Sequence, residues 1–326
     1  MLQIQHIRSP QISIDLTNPI FNDEAAAWAH FEAIRWPNGP VCPHCGAIGA
    51  ADKVTGATAR PGLYRCHECV KQFTATVGTV YESSHIPMHK WLLATHLLCA
   101  SKKGVSAHQL MRTLGLGSYR TAWFMAHRIR EAMADSDPSP IGGKGKTVEI
   151  DETVFGRIEG APKKGRALKG RSSFRNTALT LVERGGSARS FHVDGVRIAD
   201  LKPIIRANLN RETKIMTDEL TAYREIGAEF AGHDTVNHSK DEYVRREGDN
   251  VVTTNTVEGY YSIFKRGMKG VYQHCGEKHL HRYLAEFDFR YSNRIALGVD
   301  DTLRARKAVK GVEGKRLMYN QPRQAA

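Results

Sequence analysis

Three acidic residues stand where a metal-dependent phosphoryl-transfer site needs them. Asp151 closes the apolar, β-branched run Thr147-Val148-Glu149-Ile150-Asp151, and Asp218 closes Lys214-Ile215-Met216-Thr217-Asp218. Glu258 lies in Asn255-Thr256-Val257-Glu258-Gly259-Tyr260-Tyr261-Ser262-Ile263-Phe264-Lys265-Arg266, whose spacing predicts a helix. Two strand-borne aspartates and a helix-borne glutamate can hold two Mg²⁺ ions about 3.5–4 Å apart, clamping the attacking and leaving oxygens of a phosphodiester. Mg²⁺ takes oxygen ligands and keeps several waters, so one or two carboxylates per ion suffice. Taken singly, an Asp at a strand end is a turn or cap residue and a Glu on a helix is solvated. On the predicted helix Asn255, Glu258, Ser262 and Lys265 share one face, while Val257, Tyr261 and Phe264 share another that suits packing. Asn255 could serve as a ligand or support one, and Lys265 could hold a phosphate beside the metals; a solvated surface is the plain alternative for both.

Four of the six cysteines, Cys42, Cys45, Cys66 and Cys69, form C-x2-C-x20-C-x2-C. Each pair fits a tight knuckle in which the i, i+3 spacing turns both sulfurs toward one ion. Four thiolates give a closed tetrahedral shell, which suits one structural Zn²⁺ and leaves no open catalytic position. His44 and His67 sit inside the knuckles as surface residues, since the shell is already complete. Cys99 and Cys275 lack such partners and read as buried or inert thiols.

Lys and Arg number 47 against 34 Asp and Glu, a net charge of +13 over 326 residues. That excess favours a polyanion, with double-stranded DNA the leading partner. No apolar run reaches ~18 residues, so no membrane span is expected. The first residues show no signal-peptide core, so the expectation is a cytoplasmic protein, nucleoid-associated if DNA is its partner.

These residues must be positioned by several elements, and the expected fold class is multidomain α+β. Residues 1–40 form a helical lead-in, with Asn22 capping a helix over 23–34 that carries Trp28 and Phe31. Residues 41–82 are the zinc ribbon, with hairpin strands at Tyr64-Arg65-Cys66 and Lys71-Gln72-Phe73-Thr74-Ala75-Thr76. Residues 83–135 are helical: Pro87 opens one helix, Ser106 caps a short one, and Gly115-Leu116-Gly117 turns into a longer one capped by Ser118. A short helix, a Gly-bearing turn and a second helix form a helix-turn-helix-like layout. In it Ser118, Tyr119 and Arg120, with Thr121, stand where base or phosphate contacts are made; plain three-helix packing is the alternative.

Residues 136–146 are a linker by composition. Strands are expected at 147–154, 176–183 and 188–193, a helix at 198–209 and a strand at 213–217. Short turns make the first three antiparallel, and the helical crossover makes the fourth parallel. That is the order of a ribonuclease-H-like core over 147–296, with Asp151 and Asp218 on neighbouring strands. Between the first two strands Lys163, Lys164, Arg166, Lys169 and Arg171, with Arg175, form a basic loop, either solvated or in phosphate contact. A further helix is expected over 279–291, where His274, His279 and His281 follow no zinc spacing. The basic residues from 297 to 326 read as a loosely ordered tail.

The chain resembles bacterial insertion-sequence transposases that set a four-cysteine zinc ribbon before a DDE domain, of the ISXO type. The resemblance spans roughly residues 20–295. Its most specific stretches are the cysteine ribbon with Phe73, Val148-Glu149-Ile150-Asp151-Glu152-Thr153, Thr254-Asn255-Thr256-Val257-Glu258-Gly259, Phe264-Lys265-Arg266 and the 281–291 helix. It implies Asp151 and Asp218 as the first two ligands, Asn255 or Glu258 as the third, and Lys265 as the family's lysine. It further implies two catalytic Mg²⁺ ions, replaceable by Mn²⁺. Nicking at terminal inverted repeats, strand transfer into target DNA, and a homodimer or larger assembly on DNA follow from the same resemblance. Thr253, Tyr260-Tyr261 and Ser292 depart from the family's commoner His, Trp-containing pair and Asn. Rival readings are a nuclease that cuts without joining, a DNA-binding regulator derived from a transposase, and a zinc-ribbon transcription module. The last leaves the residues after the ribbon unexplained.

Overall fold

The computed structural model describes residues 15–56, 58–137, 139–157, 175–248 and 250–319. They form two compact units. The first takes residues up to 101, 105–133 and those from 294 on; the second takes 102–104 and 134–293.

In the first unit, helix α1 (Glu24–Arg35) begins one residue later than the sequence suggested, because Asp23, not Asn22, accepts the Ala26 amide at 2.7 Å. Phe31 on its inner face is fully buried and meets the Tyr81 ring at 5.5 Å. The ribbon has three antiparallel strands, β1 (Ala51–Lys53), β2 (Leu63–Cys66) and β3 (Gln72–Thr74). The first of these has no apolar alternation to announce it. Trp36 and Tyr64 close on the buried Phe73 ring at 5.8 Å each, the small core that so short a sheet needs.

Three helices follow: α2 (Met88–Ala100), α3 (Ala107–Thr113) and α4 (Tyr119–Met133). Ser106 accepts the Gln109 amide and Ser118 accepts the Thr121 amide, both at 3.1 Å, so both expected caps are used. Gly115 sits at φ +58°, a turn conformation that glycine adopts without strain. Part of the expected loose tail is ordered. The helix Asp301–Lys310 is capped by Asp300 and packs against α1, α2 and α4 through Ala308 and Val309. Its buried Arg304 donates to the Cys99 carbonyl at 3.0 Å, satisfying a terminal carbonyl of α2. Of the charged residues that suggested a tail, Arg306, Lys307 and Lys310 lie on the exposed face of this helix.

The second unit is built on one five-stranded sheet in the order β6-β5-β4-β7-β8. Its strands are β4 (Thr147–Phe155), β5 (Asn176–Glu183), β6 (Ala188–Val193), β7 (Lys214–Thr217) and β8 (Gly232–Thr235). The first three are antiparallel neighbours, and β7 and β8 run parallel to β4. The parallel steps are crossed by helices α5 (Ile198–Asn208) and α6 (Thr221–Gly227). A two-stranded ribbon, β9 (Val244–Glu247) with β10 (Asn250–Thr253), leads into α7 (Asn255–Gly267), and α8 (Leu280–Ser292) follows. The expectation stopped at β7: polar Gly232-His233-Asp234-Thr235 gives no strand signal. The linker by composition is partly strand-like, since Ile141 bridges to Leu209 and packs on the core.

The sheet is covered on both faces, making the unit mixed α/β. Val148, Ile150, Leu179 and Leu181 meet Leu201, Ile205, Tyr223 and Ile226 of α5 and α6. Ala178 and Val182 meet Val257, Tyr261, Phe264, Leu284 and Phe287 of α7 and α8. Strand alternation therefore turns Glu149 and Asp151 to the α7 face and Glu152 to the α6 face.

Candidate functional site

The four ribbon cysteines converge. Their sulfurs all lie within 4.8 Å of one another, with Cys42–Cys69 at 3.7 Å and Cys45–Cys66 at 3.6 Å. A tetrahedral ion with Zn–S bonds of ~2.3 Å sets its sulfurs about 3.8 Å apart, so the shell fits zinc. His67 instead pairs with Asp52 at 2.9 Å on the surface, and neither it nor His44 joins the group. Cys99 is fully buried, as expected, and Cys275 is half-buried.

The acids of the second unit are gathered by the sheet. In the parallel pair Glu149 lies opposite Met216, which brings Asp151, two residues on, near Asp218, just past the end of β7. Asp218 leaves β7 into a tight turn and accepts the Leu220 amide at 2.9 Å. Glu258 is half-buried in the first turn of α7, where Thr254 donates to it at 2.9 Å and His238 Nε2 lies 3.6 Å away. Among the described residues only the four cysteines bring three or more ligand atoms within 4.8 Å. The three carboxylates are thus neighbours more widely spaced than a single-ion cluster.

Their electrostatics mark a site short of positive charge. Burial pushes the Asp151 carboxyl up to about 8, reinforced by the charges of Glu152, Asp218 and Glu258. Burial also lifts Glu152 to about 7, against a hydrogen bond from the Tyr223 hydroxyl. Asp218 is raised by burial and by Glu219, and held back by the Leu220 amide and by His238. An all-oxygen set with elevated carboxylates is what a divalent cation would neutralise.

Asn255 and Lys265 are exposed on the same side of α7 as Glu258, while Val257, Tyr260, Tyr261 and Phe264 are buried. Lys265 Nζ lies 6.0 Å from the Tyr261 ring centroid, and the Tyr261 hydroxyl donates to the Asp151 carbonyl at 2.5 Å. The departing residues all have work. Thr253 donates to the Tyr243 carbonyl at 3.1 Å, Tyr260 to the Asp288 carboxylate at 2.6 Å, and Ser292 accepts the Ala188 amide at 3.0 Å.

Three neighbours of the acids escaped the sequence: Glu149, Glu152 and His238. Glu149 carried a signal, a carboxylate at an inward strand position between Val148 and Ile150. His238 lies in a short turn with no pattern; it is fixed because Glu219 accepts its amide at 2.9 Å and that of Ser239 at 3.1 Å. In the first unit, Ser118, Tyr119 and Arg120 are exposed at the start of α4; Tyr119 meets His108 at 4.4 Å and Arg120 lies 5.5 Å over the Tyr319 ring. Lys163, Lys164, Arg166, Lys169 and Arg171 lie outside the described residues.

The chain is similar to known proteins at both places. Residues 22–72 match the family model for the transposase zinc-ribbon domain, and residues 142–292 match that for the ISXO2-like transposase domain. An uncharacterized protein in transposable element ISH50 of Halobacterium salinarum is 28% identical over 277 residues, covering 79% of this chain and 87% of that protein. A chain in the simian T-cell lymphotropic virus intasome, solved in complex with PP2A regulatory subunit B56 gamma, overlaps 55% of this chain and 63% of its own. At 15% identity and a TM-score of 0.26 it carries no argument. The two family models match in the order ribbon then transposase domain and together span more than half of the sequence. The chain belongs to the insertion-sequence transposases that set a zinc ribbon ahead of an ISXO2-like transposase domain.

Proposed function

We propose that the acids of the second unit form a two-ion DDE site, and that the protein cuts DNA at the ends of its element and joins them to target DNA. The observation that carries this reading is the parallel pairing of β4 with β7: it brings Asp151 on β4 near Asp218 just past the end of β7, with Glu258 in the first turn of the helix packed against β4. The strand order supports a ribonuclease-H-like core, three antiparallel strands and a helical crossover to a parallel fourth. Asp151, Asp218 and Glu258 would hold the ions, with Asn255 beside the third position. Divalent cations there would lower the pKa of an attacking water and neutralise charge on the phosphate.

The chain's own groups supply the geometry. Lys265 reaches the same side of α7 as Glu258, where it would hold a non-bridging phosphate oxygen. Attack by water on phosphorus breaks the bond to the 3′ oxygen, which leaves with a proton as a 3′-hydroxyl. That hydroxyl then attacks a target phosphorus in line, forming a new phosphodiester and releasing the target's own 3′-hydroxyl. Both steps are displacements at phosphorus, so one site serves both. Ser118, Tyr119, Arg120 and the ribbon would read the element ends; the basic residues from Lys163 to Arg171 would contact phosphates. Pairing of two ends calls for at least a dimer on DNA.

Strand transfer with purified protein, Mg²⁺ and labelled DNA flanking its own gene tests the reading. Joined products are expected for the wild type, and losses of at least ~100-fold for Asp151→Ala and Glu258→Gln. Cutting without joining would point to a nuclease, and binding without chemistry to a regulator. Joining that persists in Asp151→Ala would remove the proposal.

A further inference from the structure

We propose that Glu149 is a positioning residue: its buried carboxylate fixes the start of α7 against β4 and so sets the affinity of the acid site for divalent ions. The inference rests on the two-ion reading above.

Glu149 is fully buried. Its oxygens accept four hydrogen bonds. The Thr256 amide and hydroxyl each donate at 2.7 Å, the Val257 amide at 3.0 Å and Arg184 Nε at 2.7 Å. Two of the donors are terminal amides of α7, groups a helix cannot satisfy internally. A carboxylate there also meets the positive end of the helix dipole. Arg184 extends the tie, donating to the carbonyls of Val251 at 2.8 Å and Thr253 at 2.9 Å in the strand that leads into α7.

The tie sits between two proposed ligands. Asp151 is two residues along the same strand, on the same face, and Glu258 follows directly after Val257. Their carboxylates repel, and Glu258 is one of the charges raising Asp151. Without a cation, that repulsion works to push α7 off the strand. Apolar packing of Val257 and Phe264 resists separation but is non-directional and tolerates sliding. Four short bonds to one charged group resist both, and a fully satisfied buried network holds one geometry. Groups that orient metal ligands are worth about 10–100-fold in metal affinity.

The test uses the zinc-loaded full-length chain without DNA. Mn²⁺ binding is followed by electron paramagnetic resonance, and Asp151→Asn defines the component belonging to the acid site. Glu149→Gln keeps the shape but offers two oxygen lone pairs where the carboxylate offers four, and its NH₂ faces donors. The expected result is a Mn²⁺ Kd raised about tenfold or more in a folded protein. DNA cleavage should recover at saturating Mn²⁺, whereas Asp151→Asn stays inactive at any concentration. Should Glu149→Gln not fold, Thr256→Val removes one donor at constant shape and should weaken Mn²⁺ in the same direction. A folded variant that binds Mn²⁺ with wild-type affinity overturns the role of Glu149 alone. Absence of any wild-type Mn²⁺ component that Asp151→Asn abolishes overturns the two-ion reading, and this inference with it.

Discussion

Asp151 behaves unlike an ordinary aspartate because its surroundings favour the protonated form. Its ordinary value is near 4, and in the folded chain burial and three neighbouring acids push it up to about 8. A folded state that binds a proton more tightly than the unfolded chain is stabilised at low pH. That stabilisation is lost as pH rises from about 4 to about 8 and levels off above. The zinc-loaded protein without Mg²⁺ is therefore expected to melt at a lower temperature at pH 8.5 than at pH 5.5. Asp151→Asn should flatten that difference, and added Mg²⁺ should restore the wild type at pH 8.5. Equal pH slopes for wild type and Asp151→Asn would show that the group is not under this pressure. Asp151 and Asp218 were legible in the sequence because each ends a β-branched run, where a polar residue is conspicuous. Glu149 was not, because its donors lie 35 and 107 residues away in the chain and only the fold collects them.

At the scale of elements, the helix carrying Glu258 is held at both ends. Its start is tied by Glu149, and its end fits closely. A Cβ built on Gly267 would lie 2.6 Å from the Lys103 carbonyl oxygen and 2.5 Å from the Phe287 ring. Neither neighbour yields cheaply, since one is backbone and the other is a buried ring of α8. Gly267→Ala is expected to destabilise the second unit by about 1–3 kcal/mol despite alanine's better helix propensity. Urea denaturation would read it, and an unchanged or raised midpoint would show that α7 and α8 can part without cost. This contact was invisible in the sequence, because Lys103 and Phe287 reach Gly267 only through the fold. The helix itself was plain, since its polar and apolar faces separate at 3.6-residue spacing. Strands β4 and β5 were equally plain from their apolar, β-branched runs. The polar strand β8 and the β9–β10 ribbon were not, because each gains order from tertiary neighbours and not from its own pattern; the helix under the C-terminal charges was not, because its apolar face is narrow beside them.

For the whole molecule, the two units differ in what holds them. The second is built on a covered sheet. Part of the first is a three-stranded ribbon with strands of three or four residues, too small to support itself without a staple. Titration with a mercurial that blocks thiols is expected to release one zinc per chain and to lower the first unit's melting transition. The second unit's transition should stay in place. Retention of both transitions after zinc leaves would show that the cysteines do not support the fold. The first unit is also discontinuous in sequence, since its segments end at residue 133 and resume at 294. On a ribosome adding about 5–20 residues per second, that interruption lasts roughly 8–30 s. Through it the apolar side of α2 waits for the helix Asp301–Lys310, and Cys99 keeps a carbonyl that Arg304 has yet to reach. The unit whose residues emerge first is the one completed last, so a nascent chain lacks a finished first unit until the segment that resumes at residue 294 has been made.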